Sequence, residues 1–122
     1  MPEIKILYSW DNPGKDNVDL YISDAIPEGE LRVISAADLK YILNMRNNDR
    51  RWAHESCGES LINCDEVLDT KKYFVYYNYH SSGGYKTEIT VDESRNIKVF
   101  VHPPEGLSLR SFWSEVIIFE IV

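Results

Sequence analysis

Residues 73–101 constrain the fold more than any other stretch, because they read as three strands in succession. Tyr73-Phe74-Val75-Tyr76-Tyr77-Asn78-Tyr79-His80 concentrates aromatic and β-branched side chains, which suit a pleated, half-buried surface. Gly83-Gly84 then breaks the run, because glycine reaches positive φ at little steric cost. From Tyr85 to Val91 the chain alternates, with Tyr85, Thr87, Ile89 and Val91 on one face and Lys86, Glu88 and Thr90 on the other. This period of two marks a strand with one dry face. Asp92-Glu93-Ser94-Arg95-Asn96 has the composition of a hairpin loop, and Ile97, Val99 and Val101 follow on one face opposite Lys98 and Phe100. The expectation is a ribbon folded at the diglycine, with residues 73–80 and 85–91 as neighbouring antiparallel strands.

The flanking segments extend this sheet. Glu3 to Tyr8 reads as an opening strand, with Ile4 and Ile6 on one face. Trp10 to Asn17 contains Asn-Pro-Gly and reads as a turn region. Val18, Leu20 and Ile22 alternate with polar or aromatic neighbours and suggest a second strand, and Glu30 to Ile34 suggests a third. Ser35 then has the character of a helix N-cap, with Asp38 three residues on. In the helix that follows, from Ala36 to Met45 or Arg46, Leu39, Ile42 and Leu43 share one face. Asn47-Asn48-Asp49 is expected to end it. Arg50 to Thr70 has no sustained period, with a short second helix suggested near Cys64 to Leu68, and an irregular stretch of that length is often functional. Glu115 to Val122 is apolar on both faces, as a strand covered on both sides would be. The fold class expected is α+β: a mainly antiparallel β-sheet, as a partial sandwich or barrel, with one helix packed at about residues 36–46. A chain of 122 residues suits a single domain over 1–122.

Charge narrows the function classes. A formal net charge of −7 argues against general nucleic-acid binding, which needs a basic footprint, and against anionic membrane surfaces. It suits a basic protein partner, whose approach it would steer. Val116 to Phe119, the longest apolar run, is far too short to span a bilayer. Met1-Pro2-Glu3-Ile4-Lys5 lacks the cationic start and apolar run of a secretory leader, so the chain as given reads as cytoplasmic, or as secreted or surface-exposed if trimmed from a precursor.

Several groups have the right types for chemistry. His54, Cys57, Cys64 and Asp65 come nearest to a metal constellation, but Cys64 has no second donor pair of the kind tetrahedral zinc sites use. His80 or His102 would have to approach Cys57 or Cys64 to activate a thiol. Asp65 with Glu66 and Asp69, or Glu28 with Glu30, supply paired carboxylates. Ser82-Gly83-Gly84-Tyr85 has neither the lysine nor the helix of a phosphate-binding loop and reads as a tight turn. No metal, cofactor or catalytic residue is therefore assigned. Trp10, Trp52 and Trp113 fall in segments that read as loops, and aromatic residues line both faces of 73–79, as suits binding surfaces.

The order of elements carries a resemblance. A strand, a Gly-Gly-Tyr turn, a strand rich in Glu and Ile, a charged hairpin, a Val-rich strand, a proline loop and an apolar closing strand resemble the C-terminal-like domain of the protease complex subunit PrcB family. The likeness spans about residues 30–122 and includes Val33-Ile34-Ser35 and the helix starting Ala36-Ala37-Asp38-Leu39. At the turn this chain has Ser81-Ser82-Gly83-Gly84-Tyr85, where the family usually has Pro-Thr-Gly-Gly-Tyr. The resemblance implies a small β-rich, non-catalytic domain that accompanies another protein.

Taken together, these readings favour a non-enzymatic protein-binding module of bacterial type. It would be either a PrcB-like accessory subunit to a protease or an acidic immunity or inhibitor protein against a secreted toxin. The contacts expected are Trp52, Asp65, Glu66, Asp69, Tyr76, Tyr85 and Trp113. The alternative is a small metal-binding or cysteine-dependent enzyme.

Overall fold

Two strands with apolar side chains on both faces, β3 (Tyr73–Ser82) and β6 (Ser111–Ile121), lie side by side at the centre of the structure. The computed structural model describes residues 2–13, 17–26, 29–53, 63–82, 85–103 and 111–122; the side chains at 12, 13, 17, 49–53, 80–82 and 111–113 lie outside the described set. β1 (Ile4–Pro13) flanks β6 and β2 (Glu30–Ile34) flanks β3, which makes a four-stranded sheet of order β1-β6-β3-β2. Every pairing in it is antiparallel. β4 (Lys86–Val91) and β5 (Ile97–His102) form a separate antiparallel hairpin. The fold is α+β and mainly antiparallel sheet, and among the described residues the sheets do not close into a barrel.

One face of the sheet carries two helices, α1 (Asn17–Ala25) and α2 (Ala36–Ala53). There Val18, Ile22, Leu39, Ile42 and Leu43 pack on Tyr73, Val75, Tyr77, Val116 and Ile118. The other face packs Phe74, Tyr76, Ile117 and Phe119 under Ile89, Ile97 and Val99 of the hairpin. Phe74 and Phe119 sit opposite each other across the ladder with ring centroids 5.3 Å apart, nearly parallel. Such a pair contributes about 0.5–1.5 kcal/mol beyond its buried area. No helix among the described residues is long and apolar enough to cross a membrane.

The expected β3–β4 ribbon is overturned. β3 pairs with β2 and β6, whereas β4 pairs only with β5 among the described residues. The reason lies in face polarity. β3 and β6 are apolar on both faces and gain most from an interior position, whereas the hairpin has one polar face and serves as an outer cover. Gly83-Gly84 lies outside the described residues. The expected strand at Val18–Ile22 is helix α1. Val18, Ile22 and Ile26 lie four apart, fit both periods and are all buried, but Leu20, which a strand would bury with them, is 50% exposed.

Other boundaries also moved. α2 continues through Asn47-Asn48-Asp49 to Ala53, because Asn47 lies on the packed face with Ala36, Leu39 and Leu43. Helix propensity is a weak prior against tertiary packing. β1 runs past Trp10 to Pro13, where a residue without an N–H costs little on an edge strand. A bulge between Ile6 and Tyr8 re-phases β1. Ile4 therefore packs on the hairpin side, Leu7, Tyr8 and Trp10 face the helices, and Ile6 is exposed. Trp10, Trp52 and Trp113 lie in β1, α2 and β6 rather than in loops. Near Cys64 the expected helix is a 3-10 turn, Cys64–Glu66. Ser35 caps α2 as its sequence suggests: its Oγ accepts the Asp38 N–H at 3.1 Å.

A buried carboxylate adds a polar tie between α1 and the sheet. Asp19 is fully buried and accepts hydrogen bonds from Trp10 Nε1–H (3.1 Å) and Ser114 Oγ–H (3.0 Å). The Arg46 guanidinium of α2 lies 5.0 Å from the centroid of the Trp10 ring. Asp19→Ala removes the acceptor of both donors inside the protein and should cost about 3 kcal/mol, read from urea unfolding midpoints, with Asp19→Asn costing less. The hairpin turn holds the opposite opportunity. Arg95 has a φ of 65°, the left-handed region that disfavours side chains. Arg95→Gly should raise stability by about 0.5–1 kcal/mol, the strain relieved outweighing the added chain entropy.

Candidate functional site at the open edge of the sheet

Among the described residues, β2 pairs with β3 on one side only, so its other edge presents main-chain donors and acceptors outward. Its five residues run in unbroken register, from Glu30 opposite Tyr77 to Ile34 opposite Tyr73. Gly29, at a φ of 77°, turns the chain into β2 and donates its N–H to Tyr77 O at 2.9 Å. Ile34 points into the helix-side core, whereas Val33 is 58% exposed. Glu30 and Arg32 pair at 3.0 Å, but both are about half exposed, so the bridge is weak.

Beside this edge, α1 and α2 leave a groove of about 410 Å³. Ile26, Ile34, Ile42 and Val75 form its apolar base, and Tyr21, Arg32 and Asp38 stand at its rim. Tyr21 also meets Tyr41 of α2, ring centroids 5.2 Å apart and tilted. Tyr41 is 53% exposed. An exposed valine, a tyrosine pair and an open strand edge thus adjoin one apolar groove. Together they offer main-chain pairing along the edge and a slot for a side chain, the two elements of strand addition.

Among the described residues, those expected from the sequence as contacts do not assemble into one surface. Asp65 and Glu66 lie on the 3-10 turn and Asp69 on the next turn, all exposed. Asn63 Oδ1 accepts the Asp65 N–H at 3.0 Å, and Tyr73 Oη accepts the Leu68 N–H at 2.9 Å, fixing this acidic loop on the helix side with Val67 buried. Tyr76 contradicts the expectation of a contact. It is 1% exposed beneath the hairpin, because the second aromatic face of β3 is covered by a layer instead of by a partner. Burial pushes its hydroxyl pKa up, although the hydrogen bond with Asn78 works the other way. Tyr85 is half-buried just before β4. The backbones of Trp52 and Trp113 belong to α2 and β6, and their side chains lie outside the described residues. The Tyr21–Tyr41 pair was missed because Val18–Ile22 was read as a strand; a helix there places Tyr21 beside α2.

The chemical candidates are similarly divided. His54 and Cys57 lie outside the described residues, and so does the His80 side chain. Among the described residues, no three of His, Cys, Asp and Glu are grouped as metal ligands. Cys64 packs on the helix side of the sheet, whereas His102 pairs with Glu88 on the hairpin (3.3 Å), so the sheet lies between them. Burial pushes the Cys64 thiol pKa up, Asp65 pushes it further, and Lys40 opposes both. A nucleophilic thiol requires the reverse. The Cys64 Sγ–H donates to Asn44 Oδ1 at 3.3 Å. Tyr8 nearby is also pushed up, by burial first and then by Glu66.

Comparison with known proteins brings no family model, curated protein or solved structure that matches the chain.

In a Cys57→Ser variant, the iodoacetamide rate at Cys64 should rise with pH through a midpoint above that of an ordinary cysteine. Asp65→Asn should bring that midpoint down, since it removes one of the two causes.

Proposed function

We propose that this chain is a non-enzymatic protein-binding module that accompanies or inhibits a partner protein, and that it receives the partner along β2. The observation that carries the reading is the open, in-register β2 edge with exposed Val33 next to the groove under Tyr21. A partner segment laid along β2 would take main-chain hydrogen bonds from the edge and place an apolar side chain on Ile26, Ile34 and Ile42. Tyr21 and Tyr41 supply aromatic area of the kind that dominates interface energetics.

The net charge of −7 favours a basic partner. Both versions of the proposal fit this: an accessory subunit to a protease, which the PrcB resemblance supports, and an acidic immunity protein against a basic toxin. The edge differs from the contacts expected from the sequence, and it leaves the acidic loop of Asp65, Glu66 and Asp69 as a second, steering contribution.

Val33→Lys is the discriminating variant. At an exposed position it should leave stability within about 0.5 kcal/mol, confirmed by thermal unfolding. Tagged wild-type protein should recover a defined partner from the native source, and Val33→Lys should lose it. Equal recovery by Val33→Lys, together with loss in an Asp65→Asn, Glu66→Gln, Asp69→Asn triple variant, would move the interface to the acidic loop.

A further inference from the structure

A second cleft, separate from the β2 edge, opens between the end of the central sheet and the hairpin, with a volume of about 540 Å³. This size lies within the range of small-molecule sites. Phe74, Ile97 and Ile121 give it an apolar lining, and Lys71, Lys72 and Arg95 bring cations to it. In a chain with 13 basic and 20 acidic residues, three cations around one apolar cleft run against the overall charge.

The one side-chain carboxylate lining the cleft is already engaged. Glu120, 5% exposed, pairs with Lys71 at 3.5 Å and with Lys5 at 3.9 Å. Lys72 and Arg95 have no carboxylate within 4.0 Å among the described residues. The Lys72 ammonium lies 5.4 Å from the centroid of the Phe74 ring, so a cation–π contact holds it over the apolar lining. Arg95 reaches the cleft from the β4–β5 turn, and it is the one non-glycine residue with positive φ among the described residues. Backbone strain of this kind collects where a side chain is needed at a particular place. Glycine would fit the turn better but would supply no cation.

We infer that this cleft binds a carboxylate carried on an aliphatic body, with Lys72 and Arg95 holding the carboxylate and Phe74, Ile97 and Ile121 taking the apolar part. Two cations without carboxylate partners provide charge-assisted hydrogen bonds to a planar anion, and the guanidinium of Arg95 can engage both oxygens. The chemistry is shared by a free fatty acid and by the terminal carboxylate of a peptide ending in an aliphatic residue.

The test is a titration followed by methyl NMR at Ile97, Ile121 and Val122, using decanoate, decanol, and a short peptide ending in leucine as free acid or as amide. Saturable shifts with decanoate but not decanol, or with the peptide acid but not the amide, identify the source. In either case Lys72→Gln and Arg95→Gln should each weaken binding about tenfold while the thermal melt shows the fold intact. Binding of decanol or of the amide at the strength of the acids would overturn the inference, as would full affinity in both variants. Absence of saturable binding by both acids would overturn it as well.

Discussion

The structure depends on the β3–β6 pair being apolar on both faces. Ile118 and Phe119 are neighbours in the chain, point to opposite sides, and are both fully buried. Burial of each such side chain contributes about 1.5–3 kcal/mol, which is lost where a face meets water. The helix pair covers one face and the β4–β5 hairpin the other. The hairpin shares no ladder with the sheet among the described residues, so side chains hold it in place. Thr87 Oγ1–H also donates to Glu115 Oε1 at 2.5 Å, joining β4 to β6 across the layers.

This arrangement consumes the aromatic residues that make the sequence look adhesive. Tyr73, Tyr76 and Tyr77 are all nearly or fully inaccessible, because β3 must meet a layer on each side. The apolar groups left at the surface include Ile6 on β1, Leu20 and Tyr21 on α1, Val33 on β2, Tyr41 on α2, and Phe100 on the outer face of the hairpin. An interaction surface built from them borrows the ends and edges of the fold rather than its centre, and a side chain there can change without opening the core.

How much could be read from the sequence follows from which periods are ambiguous. β4 and β5 were legible because one face of each is polar, and β6 was legible because both its faces are apolar. The Ser35 cap was legible because a cap is a local arrangement. α1 was not, since residues 18, 22 and 26 satisfy a period of two as well as one of 3.6, and apolar Leu20 between them favours the strand in sequence although it is exposed on the helix. Strand partners were not legible either. A diglycine after β3 invites a hairpin, but partner choice is decided by which pair buries most, and that depends on residues 111–121 at the far end of the chain. Asp65 and Glu66 lie on an exposed 3-10 turn and Asp69 on the turn after it, where the sequence suggested a short helix. The groove beside β2 was invisible because it exists only once α1 is a helix.

Among the described residues the sheet has two open edges that are not equivalent, and the difference bears on where a partner strand could add. β1 carries Lys5, a bulge at Ile6/Tyr8 and Pro13 at its end. These are the devices that blunt an edge against pairing. β2 has none of them: its register is unbroken, and its charges are an exposed Glu30–Arg32 pair worth at most about 1 kcal/mol. Arg32 can leave that pair at little cost and meet a carboxylate or a main-chain carbonyl on an incoming segment. An edge protected only by shortness and a weak ion pair, next to an apolar groove, favours a specific partner with a short extended segment over general aggregation. Under the proposed function, the asymmetry between β1 and β2 is what gives the module a single orientation for docking.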